Sequence, residues 1–502
     1  MDKNNVFKNT LLLTCSGIIA KTIDFFFRAH YSKLLGGEGC GLLSLVFSVH
    51  SIMLTFATAG ISVATSKLVS KSIAEHNLQM TKSIMKSALC FTFCSSVAVI
   101  FFAAVSSDFI SREILKDSRC QIPLLCLLPS VMFMSVSYCL KGYFYASRKI
   151  LIPASSEFLE QFVKITSITL LLKKALAYGT EQSCGAVFLG ISLGEFSSFA
   201  YLCMFFKSEQ KLYKKICSAK GAMIPVLKTS LPAMASSLSG SYLHMQEELL
   251  MVFGLKKHGL SHTNALSAYG SLSGMVIPLT MFPLTLLSSF LTLLVPEISR
   301  AAARATKTRL CDLSQKVYKF SAVLSFLLFS IYFSFSDEIG AAVYGNKKLG
   351  TYIKIFSLLL PVCMTDSVSS GILNGLGKQT TLLFLTLAEA AIRIGICFFA
   401  VPKFGCGGIA EVIFSGCLFS FCIKLSITSA QTTSPINLKN HFILPAFSAF
   451  AACFASYVFT NKDFSVAFCF AMCIVFYTAF SFFTKNLTKT EFIWAIKRMK
   501  GD

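Results

Sequence analysis

The stretch Lys21-Thr22-Ile23-Asp24-Phe25-Phe26-Phe27-Arg28 sits inside an apolar run that begins at Leu11 and reaches Leu35. Its reading decides the fold. A helix needs about 20 mainly apolar residues to cross a bilayer, and this run supplies them. It lacks the small-residue cleavage site of a signal peptide, so it reads as a first spanning helix. Lys21, Asp24 and Arg28 stand at i, i+3 and i+7, which puts all three on one helical face. A charge at mid-bilayer costs about 2.5–3.5 kcal/mol on insertion scales, so such charges face a bundle interior or a water-filled cavity. One carboxylate between two cations leaves the face net positive. That suits an anionic ligand, because Arg grips phosphate through two parallel hydrogen bonds and Lys offers a point charge.

Working outward with the same ruler gives about fourteen spans: 10–35, 41–67, 83–105, 122–146, 154–173, 184–206, 224–253, 265–298, 317–336, 351–374, 380–401, 405–429, 440–460 and 464–484. The eighth carries Pro278, Pro283 and Pro296 and is expected to bend or break. The composition agrees. Of 502 residues, 54% are hydrophobic and only 14% charged, against about 25% charged in soluble domains. An ordinary soluble enzyme is excluded. The net charge of +22 could suggest nucleic acid. Its distribution argues otherwise: with the N-terminus inside, 29 of the 46 Lys and Arg fall in cytoplasmic segments and 12 in outer ones. That is the positive-inside bias of a membrane protein with both ends cytoplasmic, its basic segments lying against an anionic leaflet.

Other charges fall within apolar segments. Glu157, Glu160 and Lys164 share a face of the fifth span, where an intrahelical Glu160–Lys164 pair is the simple expectation. Glu389 and Arg393 have the i, i+4 spacing of a local pair, and Lys354 lies near a helix start, where it snorkels. Glu195, Asp366, Glu247 and Glu248 complete the set. Glu247 and Glu248 are candidates for pairing with a first-helix cation or for binding a coupling ion. The 19 cysteines are scattered without a Cys-x-x-Cys pair, and they read as small packing residues. His258 and His262 sit in a loop, and no metal site is expected. The absence of a phosphate-binding Gly-x-x-x-x-Gly-Lys-Ser/Thr loop excludes a self-contained ATPase. No catalytic constellation is present, so the chain reads as a transporter and not an enzyme.

Several motifs resemble the stage V sporulation protein B family. They are Lys21 and Arg28 followed by Leu34-Leu35-Gly36-Gly37-Glu38-Gly39-Cys40-Gly41-Leu42, and Ala59-Gly60-Ile61-Ser62-Val63-Ala64-Thr65-Ser66-Lys67-Leu68-Val69. Glu160-Gln161 with Lys164 belongs with them, as do Tyr269-Gly270, Gly274-Met275, Pro278, Pro283 and Val295-Pro296-Glu297-Ile298-Ser299. Gly371-Ile372-Leu373-Asn374-Gly375-Leu376-Gly377-Lys378 closes the series. The resemblance runs from about residue 10 to 430. That family is part of the multidrug/oligosaccharidyl-lipid/polysaccharide (MOP) exporter superfamily, which also holds the MurJ-type lipid II flippases and the MATE transporters. The resemblance implies two lobes in a V around a central cavity lined by helices one, two, seven and eight. It implies an undecaprenyl-pyrophosphate-linked cell-wall precursor as cargo, lipid II above all. Arg28 matches the family's cavity arginine and Lys21 its upstream lysine. Lys164 stands where the family usually has Arg.

Together these readings predict an all-α polytopic membrane protein of about fourteen helices, MATE/MOP-like, in the bacterial cytoplasmic membrane. Residues 1–206 form the first lobe, 207–228 an amphipathic cytoplasmic linker, 229–430 the second lobe, and 431–502 two further helices and a basic tail. Lys21, Asp24, Arg28, Glu160 and Lys164 form the cavity site, with Asp24 keeping Arg28 oriented. Gly37, Gly39, Gly274, Pro278 and Pro283 are gate or hinge positions. Gly36, Gly37, Gly39 and Gly41 are expected in the first outer turn. No cofactor is expected, and transport draws on a Na+ or H+ gradient or the membrane potential. Membrane lipids, the lipid-linked oligosaccharide and cell-wall synthases are the expected partners. The alternative is a cation-coupled MATE-type multidrug antiporter.

Overall fold

The computed structural model describes residues 3–58, 60–212, 222–303, 307–432, 439–460 and 465–484. Much of the expected linker and the whole basic tail lie outside them. The described residues contain helices and no strands. In chain order the main helices are α1 (Lys3–Thr58), α2 (Ile61–Ala74), α3 (Leu78–Val105), α4 (Gln121–Ala146), α5 (Leu151–Ala175), α6 (Thr180–Leu212) and α7 (Met223–Lys257). They continue as α8 (His262–Ser271), α9 (Ile277–Ala303), α10 (Lys307–Ser334), α11 (Ser336–Tyr344), α12 (Gly350–Ser357) and α13 (Leu360–Gly375). Last come α14 (Gln379–Phe404), α15 (Cys406–Thr432), α16 (Leu444–Thr460) and α17 (Val466–Phe483). By length and apolar composition alone, ten helices among the described residues can cross a membrane, or eleven counting a pair bent by 49° at Ser357/Leu360 as one span. Neither α5 nor α7 is among them. Glu157, Glu160, Lys164, Lys173 and Lys174 crowd α5, and α7 holds a Ser/Gly-rich run before Glu247 and Glu248.

Helix boundaries fall where the apolar runs place them, as in Gln121–Ala146 against the expected 122–146. Three backbone irregularities do not follow from the runs. The first is in α1, whose helical pattern is interrupted at Gly36 (φ 70°, ψ −176°). Ser32 Oγ reaches the Gly274 carbonyl and Ser44 Oγ reaches Ser273 Oγ. Twelve residues of straight helix span about 18 Å, so adjacent partners require a sharp reversal at Gly36, a conformation glycine adopts readily. Gly37, Gly39 and Gly41 lie in regular helix beyond that reversal and not in the turn itself. The second is Gly60 (φ 69°), which caps α2 and splits the expected 41–67 span. The third replaces the expected break at the prolines. The backbone stays helical through Ile277–Ala303 and instead widens into a π turn over Leu272–Val276. Pro278 lacks an N–H and its ring would clash with the carbonyl four residues back. A π turn just upstream relieves that conflict.

Packing sets the two ends of the bundle apart. At the Gly36 end one core joins the chain before and after the 213–221 segment, with Leu42, Leu45 and Leu124 against Leu266, Tyr269 and Val401. At the other end the cores are separate. Ile61, Ile84, Phe144 and Leu202 form one, which also takes in Val226 at the start of α7. Leu287, Leu313, Val368 and Ile372 form the other. The joined end is tight because it is built on glycine. A methyl group on Gly270 would come 2.0 Å from the Gly37 carbonyl oxygen and 2.2 Å from the Gly41 nitrogen. Gly274 likewise leaves room only for Cys40. Small residues let helix backbones approach this closely, a standard device in membrane bundles. Many hydroxyls in the helices return hydrogen bonds to carbonyls one turn back, as in Thr22, Thr65 and Thr92.

Candidate functional site

The charged face of α1 lies where the two halves of the chain meet. Phe25, on the same stretch, stacks on Phe282 of α9 with ring centroids 4.2 Å apart. Lys21 is exposed, and Asp24 and Arg28 are partly buried. Asp24 does not hold Arg28 as expected. Its Oδ1 accepts a hydrogen bond from Lys164 Nζ of α5 at 2.5 Å. The same contact overturns the expected Glu160–Lys164 pair. Lys164 is drawn across because α5 packs beside α1 as well as α6, so a partner on a neighbouring helix competes with the one a turn away.

With Asp24 taken up by Lys164, Arg28 forms no ion pair among the described residues. Its charge acts on Tyr31 beside it, on Tyr344, and on Glu248 of α7. It is thus a partly buried guanidinium set between two halves with its carboxylate neighbour spent elsewhere.

Glu160 belongs to a second group. It lies beside Glu195 of α6, Lys141 of α4 and Lys164. Glu195 is buried, and Lys141 Nζ bonds Glu157 at 3.4 Å. Lys141 lies in the last turns of α4. Gln161 keeps a buried Oε1 without a partner. A sequence signal for the Glu195 contribution does exist: it is a carboxylate in an apolar run, with no Lys or Arg within one helical turn on either side to pair with it.

The two α7 carboxylates part company. Glu247 is buried and accepts a 2.5 Å hydrogen bond from Arg393 of α14. The expected Glu389–Arg393 contact is present but longer, at 3.7 Å. Arg393 therefore fills the place beside Glu247 where a coupling cation would sit. Lys424 is buried in α15 and bonds Asp366 at 2.9 Å, with Ser420 on the other oxygen. Glu248 has no such cation. His244 Nδ1 lies 3.7 Å from its Oε1, and its buried Oε2 has no hydrogen-bond partner. Lys354 is exposed on α12, with its ammonium over the Phe333 ring, 4.6 Å from the centroid.

At the Gly36 end a polar latch joins the halves. Asp117 precedes a single 3-10 turn and receives three hydrogen bonds from Arg119, one from its backbone N–H and two from its guanidinium. Arg119 also pairs with Glu38, just past the Gly36 reversal. From the second half, His262 Nε2 approaches Asp117 Oδ2 at 3.1 Å. Burial pushes the Asp117 carboxyl up, but the Arg119 bonds and charge and the His262 bond outweigh it and hold it below the ordinary value. His258 instead contacts the Pro402 carbonyl. The two histidines are not brought together, and no metal-binding cluster occurs among the described residues.

A family model described as polysaccharide biosynthesis protein matches residues 6–302. Stage V sporulation protein B of Bacillus subtilis (strain 168) is 26% identical over 474 residues, covering 90% of this chain and 89% of its own. The lipid II flippase MurJ of the same organism is 20% identical over 223 residues, 41% of this chain and 40% of its own. Among solved structures, one described as lipid II flippase MurJ in an inward closed conformation superposes with a TM-score of 0.72 at 15% identity, covering 95% of this chain and 99% of its own. An inward-facing multidrug resistance MATE transporter of the MOP superfamily superposes with a TM-score of 0.67 at 14% identity, over 85% and 100%. At these identities the structural likenesses establish the fold.

Proposed function

This chain belongs to the polysaccharide biosynthesis protein family, a multi-pass membrane transporter family, and from that premise we propose that it is a flippase for an undecaprenyl-pyrophosphate-linked cell-wall precursor. Lipid II is the cargo that fits best, moved from the inner to the outer leaflet of the bacterial cytoplasmic membrane by alternating access. The observation that carries this reading is Arg28, a partly buried guanidinium with no ion pair among the described residues. A buried cation kept without a counter-charge is costly unless a ligand supplies one. A pyrophosphate supplies two acceptor groups of the right geometry. Lys21, two turns back on the same helical face, adds a second positive charge. The prenyl tail stays in lipid while the headgroup enters between the halves.

The proposed architecture has fourteen passes with both ends cytoplasmic. The α1 helix supplies two passes through the Gly36 reversal, and the charged α5, the polar α7 and the bent pair α12–α13 each supply one. Two lobes, divided near 207–228, rock about the joined end, favoured by cores that are shared at Gly36 and separate beyond it. Glycan synthases dock on the basic segments. The drug-antiporter alternative needs an unpaired carboxylate for a cationic drug. Glu247 and Asp366 are already bonded to Arg393 and Lys424; Glu248 has no such cation, but the net positive α1 face with Arg28 repels a cationic drug, so the cargo chemistry favours the flippase.

The test is complementation in bacteria depleted of their essential lipid II flippase, with lipid II exposure on the outer leaflet as readout. Rescue with restored exposure supports the reading. Verified membrane expression without exposure turns it towards another lipid-linked glycan.

A further inference from the structure

Lys21 and Ser51 lie equally far from the Gly36 reversal, 15 residues before it and 15 after. That is about 22 Å of helix in each pass, so α1 presents the two at one depth. The first pass is charged there and the second is not. Ser51 Oγ and Thr55 Oγ1 meet Ser241 Oγ of α7 at 3.1 and 3.2 Å, a junction between the halves made of neutral hydroxyls. Towards Gly36 the second pass is shut in, with residues 41–50 buried except for the half-buried Phe47. At Ser51 it opens: Ser51 is exposed and Thr55 half-buried. On α7, Ser237, Gly240, Ser241 and His244 share one face by helical spacing. Ser237 is exposed, the His244 side chain is 69% exposed, and a methyl on Gly240 would meet nothing within 4 Å. An imidazole and exposed hydroxyls so far from either end of a spanning helix face water and not lipid. One turn beyond His244, towards the shut part of the seam, Glu248 holds a buried Oε2 with no hydrogen-bond partner.

We propose that this hydroxyl-lined cleft is a saccharide subsite: Ser51, Thr55, Ser237, Ser241 and His244 hold the sugar next to the pyrophosphate while Arg28 and Lys21 hold the pyrophosphate itself. The proposal rests on the flippase reading above and adds a specificity to it. The cargo of that reading has two chemistries, an anionic linker and a neutral glycan, and the cleft has two walls to match. The charged pass of α1 supplies cations for the linker. The hydroxyl wall carries no formal charge from α1, so it leaves the anion to the first pass and offers the glycan groups of its own kind.

Hydroxyls suit this exchange because each one both donates and accepts, and rotates to do either. A sugar hydroxyl can therefore take the place of Ser241 at Ser51 or Thr55, one neutral hydrogen bond for another, and no polar atom is stranded when the halves part. The unpartnered Glu248 Oε2 is an acceptor still short of a donor where the cleft narrows. A junction that only packed the two halves together would have no need of exposed polar groups beside it. Here they continue past Ser241 on both sides, to Ser237 and to His244.

The experiment measures binding of two water-soluble probes to the purified full chain: a short prenyl pyrophosphate, and the same molecule bearing the lipid II disaccharide. Each net hydrogen bond is worth about two- to tenfold in affinity, so the parent should prefer the sugar-bearing probe by about tenfold or more. The triple variant Ser51→Ala, Thr55→Val, Ser241→Ala should lose most of that preference and keep the parent's affinity for the bare pyrophosphate. Gly240→Val adds bulk where the fold leaves open space and removes no bond between the halves, so it should show the same selective loss and decides the matter if the triple variant does not fold. Arg28→Ala should weaken both probes alike. An unchanged preference in these cleft variants, or an equal loss of both probes, makes the hydroxyls a packing seam and overturns the proposal. A parent that binds the two probes equally also overturns it and leaves the flippase reading standing on the pyrophosphate. A parent that binds neither probe overturns both.

Discussion

Two sets of ion pairs cross this bundle, and they differ in exposure. In the first half, the carboxylate members face out: Asp24 is 44% exposed and Glu157 36%. In the second half, Glu247 is 7% exposed against Arg393, and Lys424 is 7% exposed against Asp366. An open pair in high dielectric is worth about 0–1 kcal/mol, so it can trade partners with a ligand. A sealed pair is different, because removing one member strands a buried charge at about 3–5 kcal/mol. The flippase proposal thus assigns recognition to the pairs of one half and architecture to those of the other. Arg28 stands at the boundary, belonging to neither set.

The largest effect should come at that boundary. Arg28→Ala should abolish translocation, read as loss of lipid II exposure in the complemented cells, while membrane yield and melting temperature in detergent stay close to those of the parent. Arg28→Lys should recover part of the activity, since a point charge replaces a bidentate grip. Full transport by Arg28→Ala would move the site elsewhere on the seam. Loss of the folded protein would make Arg28 architecture like Arg393.

The second prediction sets the halves against each other directly. Arg393→Met should lose about 3–5 kcal/mol by stranding Glu247. Adding Glu247→Gln to it should recover most of that loss, because the more deeply buried charge is then gone and only Glu389, held more loosely at 3.7 Å, is left. Lys164→Met should change stability by only about 0–1 kcal/mol, because water screens Asp24. Equal losses in the two halves, measured by thermal unfolding in one detergent, would erase the distinction between open and sealed pairs.

How far the sequence carried this picture depends on range. Apolar runs locate helices to within a few residues, as at Gln121–Ala146 and Cys406–Thr432, because the bilayer imposes length and apolarity on each segment by itself. The face holding Lys21, Asp24 and Arg28 was legible for the same reason: a helical period is local. Partner choice was not. Asp24 meets Lys164 across 140 residues, and Glu247 meets Arg393 across 146. Spacing rules see only neighbours one turn away, which is why Glu160–Lys164 looked sufficient. The partners of Lys141 and Lys424 were hidden for the same cause, since Glu157 and Asp366 stand on neighbouring helices. The glycines show a further limit. Four of them between 36 and 41 suggest a turn, yet Gly36 alone among them has positive φ. Gly37 is small because Ser267 and Ser271 press against it, and Gly41 because Leu266 does, a reason that lies in another part of the chain.

The smallest predicted effect concerns the latch at the joined end, which resembles the sealed pairs in burial but lies outside the spanning segments. Asp117 is buried, and its carboxyl is held below its ordinary value. A carboxylate depressed in the folded state contributes stability that is fully present above its unfolded value. That contribution is lost as pH falls through the folded value. Asp117→Asn should therefore be less stable than the parent near neutrality, and the gap should close on acidification. Melting temperatures of both proteins from pH 7 to pH 3 would show the two curves converging. The other carboxylates titrate in both and cancel in the difference. A gap that stays constant across that range would mean that Arg119 and His262 hold Asp117 by shape alone, and that its charge contributes nothing to closing the Gly36 end.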